Sequence, residues 1–512
     1  MRHRVFVIFL LFTLLVLVGG VSFVTLHPIG ANAASPTVQP VSQDPFTNNT
    51  SQHQTQVEPG TFSYGSTVVS AFQSGRFATG GGASGISWVT SLDAGQTWTG
   101  GILPGLTVFS GGSYARASDS VVAYDLAHHT WLISTLVAQT TYEGSSGSTA
   151  IVISRSANAL TWSKPVLVDA SGASDNFDKE WIVCDNHPAS KYFGRCYEEW
   201  DNANVDGGLI LMSSSDDGGL TWSAPVSPAN QSFSAIGGQP VVQPNGHIIV
   251  PIYGYDLATG AEGIYSYRSI NGGATWTDLV KISASEYSGT ADPFYRGGSL
   301  PSAAVDASGK VYLVWAGCYF ESDCLANETG NTTDDIVLTT STDGLSWTPL
   351  QRIPLDAVGS GVEHLTAGLA VDRNTTGNSA HLAVTYFYFA NAGSCTAATC
   401  QFYVGMATST NGGATWSQRQ QLSEPMLPIW WANTESGDMT GDYISTVISD
   451  NNAVTVVPVA TAPTGKTLQQ SMVAGVVPVT GGSNGCETLP ASQTTPNAVS
   501  GNKSKKNYHT AH

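Results

Sequence analysis

Short runs rich in Val, Ile, Leu, Tyr and Thr recur along the whole chain, each closed by Gly, Pro, Asn, Asp or Ser. Runs of that kind read as β-strands, and the residues between them as turns. In one stretch the strands are expected at 300–306, 311–316, 336–340 and 347–353. A fixed turn sequence sits between the third and fourth strands. Ser91-Leu92-Asp93-Ala94-Gly95-Gln96-Thr97-Trp98 has the form S-x-D-x-G-x-T-W, and Ser215 to Trp222 matches it fully. Ser269 to Trp276 and Ser409 to Trp416 carry Asn271 and Asn411 in the Asp place. Ser341 to Trp347 is one residue shorter, and Arg155 to Trp162 reads as degenerate, with Ala157 where Asp belongs. The six Trp are 64, 60, 54, 71 and 69 residues apart.

A period of that length, with about four strands in each unit, is the pattern of radial blades in a β-propeller. The units run over 51–104, 114–168, 175–227, 233–282, 295–353 and 360–422. A further unit near 437–480 has no box but offers strands at 443–449, 453–460 and 468–477. The expected fold is therefore all-β, a seven-bladed propeller over 51–480, with six blades if the last segment completes an existing one. The box residues need no substrate to explain them. Asp or Asn accepts hydrogen bonds from its own turn, Gly supplies unusual backbone angles, and Trp packs underneath.

The ends differ from this pattern. Arg2 and Arg4 precede an apolar run over 5–26, followed by Ala31-Asn32-Ala33. That order predicts a secretory signal over 1–33. The alternative is an uncleaved anchor, because 22 apolar residues can span a bilayer. Residues 34–50 and 481–512 are polar and are expected to be disordered. Export fits the seven cysteines. Proximity pairs Cys184 with Cys196, Cys318 with Cys324 and Cys395 with Cys400, leaving Cys486 over, although six cysteines allow fifteen connectivities. The net charge of −18 makes nucleic acid and anionic membranes poor partners, and only 11% of residues are charged, too few for coiled coils.

The boxes resemble the Asp-box repeats of sialidases and sialidase-like proteins. Asp178-Lys179-Glu180-Trp181 and Gly441-Asp442-Tyr443-Ile444-Ser445-Thr446 resemble exported bacterial members called sialidase-like. The resemblance covers about 51–480. It implies the fold more strongly than the activity, since Asp boxes also occur in sortilin-type receptors and other non-hydrolytic propellers. Sialidases carry a Phe-Arg-Ile-Pro motif before the first box, which this chain lacks. Its Arg352-Ile353-Pro354 follows the fifth box instead. The family's three Arg, Tyr nucleophile with Glu, and Asp acid do not transfer directly to positions here.

In a propeller the innermost strands begin at the mouth of a central channel, on the face opposite the boxes. This places Asp119, Asp178, Glu180 and Asp442 at the mouth, with Glu363-His364 and Tyr443. Asp178 and Glu180, two apart on one strand, are expected to share a face. Three readings of these carboxylates stand: acid/base catalysis by Asp178, Glu180 and Asp119 with Tyr443 as nucleophile, a calcium site, or structural pairing with turns or Lys179. Arg76, Arg116 and Arg296 could clamp a substrate carboxylate. Trp430 and Trp431 could stack on sugar faces. The enzyme reading is a sialidase-type exo-glycosidase acting on an extracellular glycan or glycoprotein. The alternative is a non-catalytic propeller that binds glycan or protein. No cofactor is required, and a monomer is expected.

Overall fold

Strands form where β-branched and aromatic residues run together, and almost every one is antiparallel to its sequence neighbour. The computed structural model describes residues 36–481, apart from 141–147, 204–207, 229–231, 291–294, 323, 325–332, 393–394 and 436. The expected leader over 1–33 and Cys486 lie outside the described residues, as does the tail beyond 481.

The sheets follow one another in chain order. The first takes Gln56–Tyr64, Thr67–Arg76, Ala83–Ser91 and Thr99–Ile102. The second, joined to the first by the Ala83–Ala117 pair, takes Arg116–Asp125, Thr130–Ala138, Thr149–Ser156 and Val166–Ala170. Phe177–Cys184, Cys196–Asn202 and Leu209–Ser215 form the third. In the fourth, Val241–Val242 and Phe233–Ile236 both pair with Ile248–Asp256, followed by Ala261–Ser269 and Val280–Ala284. The fifth runs Ser302–Val305, Val311–Gly317, Asp335–Ser341 and Gln351–Arg352, close to the strands expected from the sequence. The sixth runs Glu363–Val371, Leu382–Phe389, Phe402–Ser409 and Gln420–Gln421.

The last sheet corrects an expectation. Ser445–Ser449, Asn452–Thr464 and Thr467–Pro478 pair in order, and the fourth strand is Thr37–Pro40. Residues 34–50 were expected to be disordered. Instead Thr37 pairs opposite Val476 and Pro40 opposite Val473, while Asp44 and Phe46 are buried. Their polar composition is compatible with order because an edge strand draws its stability from the neighbouring backbone. The two ends of the described chain are thereby stitched into one sheet.

The first strands of successive sheets also touch. Gln56–Tyr64 contacts Arg116–Asp125, which contacts Phe177–Cys184, and the series continues through Val241–Val242, Ser302–Val305 and Glu363–Val371 to Ser445–Ser449. Ser445–Ser449 in turn contacts Gln56–Tyr64. Glycine permits the close approach. A Cβ on Gly60 would stand 2.2 Å from the Ser120 carbonyl oxygen, and one on Gly368 would stand 2.6 Å from that of Ile444. Apolar clusters fill the spaces between neighbouring sheets. Val69, Ile86 and Trp88 pack with Val122 and Ile133 between the first and second, and Tyr312 and Leu338 pack with Leu369 and Tyr386 between the fifth and sixth. Each such side chain contributes about 1.5–3 kcal/mol on burial.

The boxes are self-contained turns. Asp93 Oδ1 accepts the Thr97 amide at 2.8 Å, its Oδ2 accepts the Thr97 hydroxyl at 2.6 Å, and Trp98 Nε1 donates to Gly95 O at 3.0 Å. Asp217 accepts the Thr221 amide and hydroxyl in the same way, while Asn411 Oδ1 accepts the Thr415 amide and its Nδ2 donates to the Thr415 hydroxyl. The box ending at Trp162 is not degenerate. Asn158, rather than Ala157, accepts the Thr161 amide at 2.9 Å, and Ala159 takes the positive φ of 59° that Gly344 takes in the other short box. Its register is that of Ser341 to Trp347, which the missing Asp and Gly concealed. Disulfides join Cys184–Cys196, Cys318–Cys324 and Cys395–Cys400, as proximity suggested. No helix among the described residues is long and apolar enough to cross a membrane.

Candidate functional site

The first strands of several sheets are interrupted near their beginnings by a bulge. Register shifts fall between Val57 and Gly60, Ser118 and Ser120, Asp178 and Trp181, and Leu365 and Gly368. At each, a non-glycine residue takes positive φ: Glu58 at 56°, Asp119 at 28°, Lys179 at 46° and Thr366 at 42°. Bulges re-aim side chains, and three of these residues, Glu58, Asp119 and Lys179, meet in one ionic centre.

Lys179 is its hub. Its Nζ lies 2.6 Å from Asp442 Oδ2, 3.4 Å from Asp119 Oδ1 and 3.7 Å from Glu58 Oε1. Arg296 grips Asp442 with two bonds, Nε to Oδ1 at 2.8 Å and Nη2 to Oδ2 at 2.5 Å. Glu58 accepts the Asp442 amide at 3.0 Å and also a bond from Gln73, whose Oε1 accepts Arg76 Nη1 at 2.7 Å. Lys179, Asp119 and Glu58 expose 7%, 3% and 1% of their side chains, so the centre is shielded from solvent and strongly coupled.

Burial and pairing set the charges. Burial opposes ionisation of Asp442, but Arg296 and Lys179 outweigh it and hold its carboxyl far below the usual range. Burial likewise opposes the Lys179 charge, and Asp119, Asp442 and Glu58 overcome it. Asp119 goes the other way: burial, helped by Glu58 and Asp178 and resisted by Lys179, pushes it up to about 8. Glu180 is raised well above the ordinary value by burial, then by Asp119 and Glu198. Neither Glu180 carboxyl oxygen has a hydrogen-bond partner among the described residues. Burial thus shifts both Asp119 and Glu180 toward the protonated form.

Several expected roles are altered by this geometry. The acidic mouth expected from the sequence is instead charge-compensated by Lys179 and Arg296, the structural reading of these carboxylates. The Lys179 ammonium stands among Asp119, Asp442 and Glu58. The bulge breaks the alternation on which a shared face for Asp178 and Glu180 was expected, and it leaves Asp178 half-buried while Glu180 is fully buried. Tyr443 is buried against Trp181, with its hydroxyl accepting the Ser120 amide at 2.8 Å. The hydroxyl itself donates to Ser120 O at 3.5 Å, not to a carboxylate. Burial, then Asp119 and Glu58, raise its phenol well above the usual value.

Of the three expected clamp arginines, Arg76 and Arg296 lie close enough for their charges to oppose one another, and Arg116 turns away. Arg296 is engaged by Asp442, and Arg76 is buried with Gln73. Arg116 turns to the carbonyls of Thr79 and Gly81 and lies 4.2 Å over the Phe77 ring. The expected sugar platform is lost in part. Trp431 is 2% exposed in a core cluster with Phe387 and Phe402, and Trp430 packs against the same cluster. Trp430 closes the 3-10 turn Pro428–Trp430, and Trp431 follows it.

Sequence reasoning missed Glu58 and Gln73, which sit at the first-sheet bulge equivalent to Asp119; the alignment of Glu58-Pro59-Gly60 with the starts of other first strands was the available signal. It also missed a buried row on Cys196–Asn202. Glu198, Glu199 and Asp201 all have raised values through burial, Glu198 to about 8. The hydroxyl of Ser134 donates to Glu198 Oε1 at 2.6 Å.

No family pattern matches the chain, and no curated protein matches it. Among solved structures it is similar to a Hadza microbial sialidase, at 12% identity over 77% of this chain and 74% of the other, with a TM-score of 0.46. It is similar to a leech intramolecular trans-sialidase, at 13% identity over 68% and 67%, with a TM-score of 0.44. A protein of unknown function from Dyadobacter fermentans is similar at 14% identity over 73% and 99%, with a TM-score of 0.42. Likeness at this level fixes neither activity nor substrate for this chain.

Proposed function

We propose that this chain is an exported, seven-bladed, Asp-box propeller that acts on extracellular glycans as a sialidase-like exo-glycosidase. The observation that carries the reading is the gathering of Asp119, Asp178, Glu180 and Tyr443 from three sheets around one ionic centre. In this reading Lys179, Arg296, Asp442 and Glu58 form a rigid frame and do no chemistry. Asp119 or Glu180, kept protonated by burial, donates to the departing sugar oxygen. Asp178, half-buried and beside them, activates water. The sequence resemblance to sialidase-like proteins supports the glycan as substrate, and the three disulfides fit an extracellular setting.

One observation favours the second reading, a non-catalytic propeller that binds glycan or protein. Tyr443 is bonded to the Ser120 amide, and Arg296 is committed to Asp442, so neither is prepared for an anionic sugar. A screen of purified protein against sialosides and neutral glycosides, with and without calcium, separates the two. The enzyme reading expects turnover that falls at least ~100-fold in Glu180→Gln. Binding of a glycan in an array, with no turnover of any glycoside, supports the second reading instead.

A further inference from the structure

A second buried cluster lies between the fifth and sixth sheets, apart from the ionic centre. It joins Asp335, which opens Asp335–Ser341, to Asp356 in the loop after Gln351–Arg352 and to His364 at the start of Glu363–Val371. One possible ligand atom from each of the three lies within 4.8 Å of those of the other two. His364 has no exposed side-chain surface, and the two aspartates expose 4% and 3%.

The tautomer of His364 follows from its neighbours. Its Nδ1 lies 3.2 Å from the carbonyl oxygen of Asp334, which can only accept, so Nδ1 carries the hydrogen. Nε2 is then a bare lone pair. It has no hydrogen-bond partner among the described residues, and 3.8 Å away it faces Asp356 Oδ2, another acceptor. Two buried acceptors aimed at one another are unfavourable unless a proton or a metal cation stands between them. A carbonyl holding the far nitrogen is also how metal-ligating histidines are oriented.

The aspartates are arranged to match. Arg352 Nη2 takes their outer oxygens, Asp335 Oδ1 at 2.7 Å and Asp356 Oδ1 at 2.5 Å. Asp335 Oδ2 is buried with no hydrogen-bond partner among the described residues, and Asp356 Oδ2 accepts the Ser360 hydroxyl at 2.7 Å. Arg352 therefore neutralises part of the acidic charge; Asp356 Oδ2 faces His364 Nε2 at 3.8 Å, and Asp335 Oδ1 lies 3.9 Å from His364 Nδ1.

We propose that Asp335, Asp356 and His364 form a divalent transition-metal site, with zinc as its natural fit, that pins the fifth sheet to the sixth. Zinc bonds of about 2.0 Å to nitrogen and about 2.1 Å to oxygen span the 3.8 Å gap with a bent N–Zn–O angle. One imidazole with two carboxylates suits zinc rather than calcium, which takes six to eight oxygens. All three ligands are buried and none belongs to the ionic centre.

The test is a metal count. The full chain is stripped with chelator, reloaded with zinc sulfate, passed through a desalting column and measured by mass spectrometry. Wild type is expected to keep about one zinc per chain and to melt several degrees higher when loaded. His364→Gln is expected to keep less than about a tenth of that and to show no melting shift. Wild type holding no zinc above the buffer blank overturns the proposal, and so does His364→Gln holding as much as wild type. Should the variant not fold, X-ray absorption of zinc-loaded wild type decides. One imidazole among oxygen ligands is expected, and two or more imidazoles, which this cluster does not offer, overturn the assignment.

Discussion

Lys179 shows most clearly how one residue sets the character of the ionic centre. It stands at φ 46°, an angle that only the bulge makes useful, because that backbone turn carries the ammonium to Asp119 and Asp442. A buried ion pair is costly to desolvate, but breaking one side of it costs more. Lys179→Met is therefore expected to destabilise the protein by about 3–5 kcal/mol, measured by urea unfolding. A loss under about 1 kcal/mol would show that water already reaches these carboxylates. Most of these residues were visible in the sequence as chemistry, but their pairing was not. Asp119, Lys179, Arg296 and Asp442 are spread over more than 300 positions, and nothing local signals which cation answers which acid. The same distance hid the partnership of Arg352 with Asp335 and Asp356, and so the environment of His364.

At the scale of the element, local chemistry was legible wherever it was self-sufficient. The boxes are the best case, since Asp93 and Asp217 satisfy their own turns and are held at about 2. For Asp93 the Thr97 hydroxyl and amide bonds are the main cause; for Asp217 slight burial works against similar bonds and loses. Asp217→Ala is expected to lower stability by about 1 kcal/mol, the scale of one turn hydrogen bond, and to leave glycoside turnover unchanged. A tenfold loss of turnover at constant folding would give the boxes a role they lack here. Where a strand depends on a distant partner the sequence was silent. Thr37–Pro40 is short and polar, and only its pairing with 473–476 makes it a strand. The bulges were equally hidden, because period-two alternation does not announce where it breaks. Gly60 is a checkable consequence. Gly60→Ala is expected to drive the first two sheets apart and lower the unfolding midpoint by several degrees, because its Cβ would meet backbone rather than a yielding side chain. An unchanged midpoint would mean that the inner strands are less tightly packed than described.

The whole molecule carries an unusual burden of buried acid. Glu180, Glu198, Glu199, Asp201 and Asp334 all have carboxyls raised by burial, as does Asp119. In the unfolded chain these groups lose their protons near the ordinary value of about 4–4.5. In the folded chain they keep them longer, Glu198 and Asp119 to about 8. Over that window the folded state binds more protons, so stability falls as pH rises. Asp442, whose carboxyl is depressed, adds an opposite loss only in strong acid. The melting temperature is therefore expected to be higher at pH 5 than at pH 8. A rise in melting temperature across that range would mean that these carboxyls are ionised in the fold.

The same proton retention underlies the proposed catalysis, and the pH dependence of turnover tests it most directly. With the best glycoside from the screen, wild-type kcat/KM is predicted to fall as pH rises through about 8, where Asp119 gives up its proton. Asp119→Asn is predicted to remove or shift that limb, and Glu180→Gln to lower the rate at every pH. A rate that is flat across this range, or full activity in both variants, would contradict the assignment of proton transfer to the channel mouth.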